Sequence, residues 1–169
     1  MAPPAFSWVI DGALAACGAP GALAPFDVDS DLRSLAFEGT TLLVTLTRAP
    51  VDPSSLEQSG IRAEHFPIEE MGAPESPEQL LPLLEQMQTE INNGGCVTVH
   101  CLAGKGRSGT VIAAYLCMTR GIPAGQAIAR VRAARPGSIE SQAQEEFIAR
   151  FVEVLDLPEL QPEEERDEE

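Results

Sequence analysis

Hydrophobic and polar positions divide the chain into short alternating runs and longer helical stripes. Val97 and Val99 alternate with Thr98 and read as a buried strand that ends at His100 and Cys101. A glycine-punctuated stretch follows, and the apolar run from Val111 to Leu116 opens a helix that reaches about Arg120 and stops at Gly121. Residues 41–47 form the most strand-like run of the first half. Residues 6–10 read as a short strand closed by the turn Asp11-Gly12, residues 13–16 as a strand or a helical turn, and residues 62–67 as an edge strand.

Helical stripes lie between these runs. Leu80, Leu83, Leu84, Met87 and Ile91 share one face of a helix over residues 77–92, with proline near its start and Gly94-Gly95 as its stop. A helix lies within residues 29–37 and stops at Gly39; a loop over 50–55 precedes a brief helix at 56–59. Pro123 begins a helix carrying Ala127, Ile128 and Val131 that ends before Arg135-Pro136-Gly137, and residues 141–155 form the last one, with Phe147, Ile148, Phe151 and Leu155 apolar. Residues 3–5 read as loose, 18–21 as a loop, and Trp8 as a core residue. Strands alternating with helices predict an α/β domain, a central mostly parallel sheet with helices on both faces. That domain covers residues 1–157, and residues 158–169 are expected to form a disordered acidic tail.

A chain of 169 residues with 44% hydrophobic content suits one substantial core. The net charge of −15 argues against nucleic acid and membrane partners, yet the charge is uneven. Between His100 and Pro136 stand six basic residues (Lys105, Arg107, Arg120, Arg130, Arg132, Arg135) and no acid, whereas the last eleven residues carry seven acids against Arg166. A positive site within an acidic molecule is what an anionic substrate needs. Four cysteines (Cys17, Cys96, Cys101, Cys117) with His65 and His100 show no zinc spacing, so neither metal nor cofactor is expected. Without a basic leader, a long apolar span or a lipidation motif, the chain reads as cytoplasmic and monomeric, with no membrane association.

The chemistry lies between strand and helix. A glycine-rich loop feeding a helix N-terminus points several backbone N–H groups inward, where the helix dipole adds positive potential, and so forms an oxyanion site. Cys101 opens that loop, in surroundings that favour thiolate over thiol and so make a nucleophile at neutral pH. Arg107, six residues on, has a planar fork able to hold two phosphate oxygens at once. Ser108 can donate its hydroxyl to the sulfur and improve it as a leaving group. A Walker-type nucleotide loop is excluded, because Gly104-Lys105 is followed by Gly106 and not by Ser or Thr.

The run His100-Cys101-Leu102-Ala103-Gly104-Lys105-Gly106-Arg107-Ser108, His-Cys-x5-Arg-Ser, resembles the signature loop of the cysteine-dependent protein tyrosine and dual-specificity phosphatases, in particular the small atypical dual-specificity type. Phe6-Ser7-Trp8-Val9 and Arg135-Pro136-Gly137-Ser138-Ile139-Glu140 with Gln144-Glu145 are similar to the same group, so the likeness spans residues 6–155. It implies hydrolysis of phosphomonoesters through a phosphocysteine. Cys101 would be the nucleophile, with residues Leu102, Ala103, Gly104, Lys105, Gly106 and Arg107 holding the phosphate. His100 would orient the loop, and Gln144 would help to position water. In that family a mobile loop upstream of the cysteine carries an aspartate that protonates the leaving oxygen. Glu70 stands at the matching position, with Glu69 beside it, one methylene longer than the family's residue. The resemblance implies phosphotyrosine, with phosphoserine or phosphothreonine, in proteins, and small phosphate esters as further substrates. Lys105 also fits relatives that act on inositol phospholipids, so a soluble polyphosphorylated substrate is the alternative, together with a phosphate-binding module that no longer turns over. Arsenate reduction is disfavoured by the order of acid and cysteine, and sulfur transfer by the Gly-x-Gly that precedes Arg107.

Overall fold

The computed structural model describes residues 4–23 and 27–155, and the expected tail over 158–169 lies outside the described residues. The elements run β1 (Ser7–Ile10), β2 (Leu14–Cys17), α1 (Val28–Glu38), β3 (Leu42–Thr45), α2 (Pro53–Ser59), β4 (Arg62–His65), α3 (Pro77–Asn92), β5 (Val97–His100), α4 (Gly106–Arg120), α5 (Ala124–Ala134) and α6 (Gln142–Val154). The sheet has the order β1-β2-β5-β3-β4, parallel except for the β1–β2 pair. Central β5 therefore ends between two neighbours, with His100 in register with Cys17 of β2 on one side and Thr45 of β3 on the other. Ligand sites of open α/β sheets form at such carboxyl ends, where the strands stop and the following loops meet.

Alternation along the strands sorts the core onto two faces. Leu14, Ala16, Leu42, Val44, Val97 and Val99 meet apolar residues of α3 to α6, among them Leu84, Ile112, Val131, Phe147 and Phe151. Cys17 and Leu43 point the other way, onto Leu32 and Leu35 of α1 and Ile61. Both faces are covered by helices, as expected. Phe147 and Phe151 are buried and stacked with centroids 6.3 Å apart, and burying a side chain of this kind contributes roughly 1.5–3 kcal/mol. No helix of the described residues is long and apolar enough to cross a membrane.

The structure decides one open alternative and corrects three local expectations. Residues 14–17 are a strand, the first of the two alternatives for this stretch. The proline and serine run at 50–55 hides the start of α2: Pro53 occupies the first turn, where its missing N–H costs nothing, and the Asp52 carboxylate accepts the Ser55 N–H at 3.0 Å. Pro4 and Ala5 are not loose, since their carbonyls accept the Gly18 N–H at 2.7 Å and an Arg135 N–H at 2.7 Å. Trp8 sits half-buried on the edge strand and packs edge to face on Phe6, with centroids 5.2 Å apart, outside the closed core.

Candidate active site

Helix α4 begins at Gly106, five residues before its apolar run, so Arg107 and Ser108 belong to its first turn. Hydrophobic periodicity cannot show this start, because Gly106, Arg107, Ser108, Gly109 and Thr110 are all buried although none is apolar in the usual sense. By helix geometry the N–H groups of Gly106, Arg107 and Ser108 have no carbonyl within the helix to reach, and they sit where the dipole is positive.

His100 and Cys101, 1% and 2% exposed, are brought to this helix start by β5. The His100 ring bridges Thr45 Oγ1 at 2.9 Å through Nε2 and the Cys101 carbonyl at 3.2 Å through Nδ1. A carbonyl only accepts, so Nδ1 carries the proton and Nε2 accepts from the threonine. Burial is the main cause that pushes the His100 pKa down to about 4, with the Arg107 charge adding to it, so the ring is neutral at neutral pH. Such a ring fixes the backbone of Cys101.

The loop itself is held from behind. Gly104 has φ +74°, and a Cβ there would lie 2.3 Å from the Cys17 carbonyl oxygen, so only glycine fits. Arg135 is 5% exposed and donates to the Gly104 carbonyl from Nε at 3.0 Å and Nη2 at 2.6 Å. Its Nη1 reaches the carbonyls of Ala5 and Ala16 and the Ser7 hydroxyl, at 2.7, 3.1 and 2.6 Å. No carboxylate pairs with it among the described residues. Burial lowers the Arg135 pKa from its ordinary value, but a guanidinium stays protonated, so a buried positive charge lies directly behind the loop. Burial also raises the thiols of Cys17, Cys96 and Cys117, to about 12, 11 and 11, which keeps all three protonated.

Arg107 is 8% exposed and donates from Nη1 to the Ile68 carbonyl at 3.1 Å, which locks the guanidinium against the loop of residues 66–74. That loop is tied twice more. Ser141 Oγ donates to the Met71 carbonyl at 2.8 Å, and Gln144 Nε2 donates to the Gly72 carbonyl at 3.0 Å. Met71 itself takes a positive φ of 61°, an unusual state for a side chain of its size, within the turn closed by Gly72 N–H on the Glu69 carbonyl.

These parts converge on a cavity of about 70 Å³ lined by Glu70, Met71, Cys101, Leu102, Ala103, Gly106, Arg107, Glu140 and Gln144. Glu69 does not border it; it lines, with Glu70 and Arg107, a wider adjoining cleft of about 680 Å³ that also includes Arg48, His65 and Gln79. Gly104 and Lys105 are not among the walls. The Lys105 side chain lies along Gly137, where its Nζ is 3.7 Å from the site of an added Cβ. Ser108 Oγ is buried and has no hydrogen-bond partner, the one such side-chain atom among the described residues. Gln144 is buried; its oxygen accepts the N–H groups of Glu140 at 2.8 Å and Ser141 at 3.3 Å, so its amide has one N–H left over.

The sequence reading places Arg135 and Glu140 in a run similar to the family but gives neither a role at the site. Arg135 precedes Pro-Gly, and its neighbours in the chain do not show that it is buried. Glu140 precedes the capping box of Ser141 and Gln144, and no periodicity marks it.

A family model described as "Swiss Army Knife protein, DSP-PTPase phosphatase domain" matches residues 3–148. The tyrosine-protein phosphatase CDC14 homolog of Schizosaccharomyces pombe is 34% identical over 98 residues, 58% of this chain and 18% of that protein. Protein tyrosine phosphatase type IVA 3 of Mus musculus is 32% identical over 113 residues, 66% of this chain and 64% of that protein. The chain thus spans less than a fifth of the first relative and under two thirds of the second. Among solved structures, Tk-PTP in its active form superposes with a TM-score of 0.77 at 32% identity, over 89% of this chain and 97% of that one.

Proposed function

This chain belongs to the dual-specificity branch of the cysteine-dependent protein tyrosine phosphatases, and on that premise we propose that it hydrolyses phosphomonoesters through a phosphocysteine at Cys101. The observation that carries the reading is that one phosphate-sized cavity is bordered at once by Cys101, Arg107 and Glu70. Those are a nucleophile, a bidentate oxyanion holder and a proton donor for the leaving oxygen. Ser108, whose buried hydroxyl lacks a partner, is free to donate to the sulfur when it leaves phosphorus. His100 holds the loop without exchanging protons.

The substrate class that fits is a single phosphate on a protein side chain, phosphotyrosine first. Lys105 turns along Gly137 and adds no wall to the cavity, while Glu69, Glu70, Glu75 and Glu140 are exposed around the cavity and its adjoining cleft. Like charges at that rim oppose a polyphosphorylated ligand. The decisive experiment pairs turnover with binding in Cys101→Ser. Loss of phosphate release from an aryl phosphate with vanadate binding retained is the expected result; phosphate release near the wild-type rate would overturn the nucleophile assignment.

A further inference from the structure

A serine at the start of a helix is ordinarily accounted for by its oxygen alone, which accepts an N–H of the first turn. Ser141 does this for α6, where Oγ accepts the Gln144 N–H at 3.2 Å. A hydroxyl also carries a proton to donate, and the cap leaves that proton unused. Here it points away from the helix and, across 70 residues of sequence, meets the Met71 carbonyl at 2.8 Å. Met71 is the third residue of a turn closed by the Gly72 N–H on the Glu69 carbonyl at 2.9 Å, and Glu70 is the second. The third position has a φ of 61°, a state that such turns ordinarily give to glycine or asparagine. Met71 is 50% exposed, so burial of its side chain does not hold it in this state. A strained backbone persists where its surroundings fix it, and from outside the turn Ser141 takes the Met71 carbonyl and Gln144 that of Gly72.

We propose that Ser141 is a positioning residue for the reaction: its hydroxyl holds the Met71 carbonyl, and with it the turn that presents Glu70 to the Cys101 cavity. The assignment rests on the reading of Glu70 as the proton donor. Glu70 and Met71 both border that cavity, whereas Ser141 does not line it and acts through the backbone that follows Glu70. Helix α6 is anchored in the core by Phe147, Ile148 and Phe151, so the hydroxyl refers the turn to a rigid element. Loss of the bond leaves Cys101, Arg107 and Glu70 in the chain but lets the turn relax toward backbone states that methionine prefers, which takes the carboxyl off the leaving oxygen. The defect then falls on substrates whose leaving group needs a proton. Gln144 shares the task, but its amide also closes the capping box and packs against Gly106, so its replacement would disturb several parts at once.

Two substitutions in the full chain separate the cap from the contact with Met71. Ser141→Gly removes the hydroxyl with little harm to the helix, because glycine caps nearly as well as serine; Ser141→Asp caps as well as serine, with a carboxylate that has no proton to give at neutral pH. In both, kcat for phosphotyrosine is expected to fall by about tenfold, part of the worth of a general acid, while kcat for p-nitrophenyl phosphate falls much less. Ser141→Thr keeps cap and hydroxyl and should retain wild-type values for both substrates. In a Glu70→Gln background, Ser141→Gly should bring no further loss, since it acts only through that carboxyl. A wild-type ratio between the two substrates in either Ser141→Gly or Ser141→Asp, whether from no loss or from equal losses, would overturn the assignment. So would a further loss in the Glu70→Gln background, or a Ser141→Thr variant as impaired as Ser141→Gly. Glu70→Gln alone is the control for the underlying reading. A wild-type substrate ratio in that variant removes Glu70 as the proton donor, whereas a selective loss there together with an unchanged Ser141→Gly removes Ser141 alone.

Discussion

Arg135 holds the Gly104 carbonyl with two donors, at 3.0 and 2.6 Å, across 31 residues of sequence. The same guanidinium ties the Ala16 carbonyl and the Ser7 hydroxyl, so the loop is braced against β1 and β2 from the side opposite the cavity.

Arg135→Leu should therefore destabilise the fold, because buried carbonyls of Gly104 and Ala16 lose their donor. Each such group left unpaired costs about 1–3 kcal/mol. Denaturant melts should show a loss of that size, and vanadate affinity should fall with it. Arg135→Lys keeps a charge but cannot make the forked contact, so it should recover only part of either quantity. A lysine variant with wild-type stability and affinity would show that charge alone suffices.

Arg107→Lys should be nearly as damaging as removal of the side chain, although the charge is kept. The guanidinium is aimed by its bond to the Ile68 carbonyl at 3.1 Å, and a point charge replaces neither that anchor nor the bidentate grip. The expected loss in kcat/KM for p-nitrophenyl phosphate is about 10²–10³, the worth of one lost transition-state donor. Retention of more than about a tenth of wild-type activity contradicts the assignment.

Glu70→Gln should slow hydrolysis of phosphotyrosine by roughly 10²–10⁴ and that of p-nitrophenyl phosphate much less, because nitrophenolate leaves without a proton. Glu69→Gln is the internal control, since Glu69 borders the wide cleft but not the Cys101 cavity. Were the leaving-group dependence to appear in Glu69→Gln and not in Glu70→Gln, the proton donor would be the neighbouring residue.

Stability should carry a pH signature from His100. Its pKa is pushed by burial from 6.5 in the unfolded chain to about 4 in the fold, so between these values the unfolded state binds the extra proton. Stability is full above pH 6.5 and declines as pH falls toward 4, by about 3 kcal/mol for a shift of this size. Melts at pH 7 and pH 4.5 should show a smaller difference in His100→Asn than in the wild type; an identical difference would mean that the ring already exchanges protons in the fold.

Local patterns in the chain carry the spine of this site well. Val97 and Val99 mark β5, and the spacing from Cys101 to Arg107 with its glycines marks the loop, because these features lie within a dozen residues of one another. Contacts made across the fold leave no such trace. Arg135 reaches Ala5 across 130 residues, and Gln144 reaches Gly72 across 72, so their partners follow from topology and not from neighbours in sequence. The start of α4 is hidden for a related reason: Arg107, Ser108 and Thr110 are buried by the site and not by hydrophobicity.

Within five residues of the 66–74 loop, the carbonyls of Ile68, Met71 and Gly72 are each taken by a side chain from elsewhere, Arg107, Ser141 and Gln144. The family likeness leads one to expect a mobile loop here, which substrate must order before its acid is in place. Three tethers, two of them from the capping box of Ser141 and Gln144, change the thermodynamic character of that step. The conformational entropy of placing Glu70 is lost once, when the chain folds, and not again in every turnover. On the proposed role of Glu70, catalysis would start with the backbone of its acid already arranged, and loop closure would contribute little to the activation entropy.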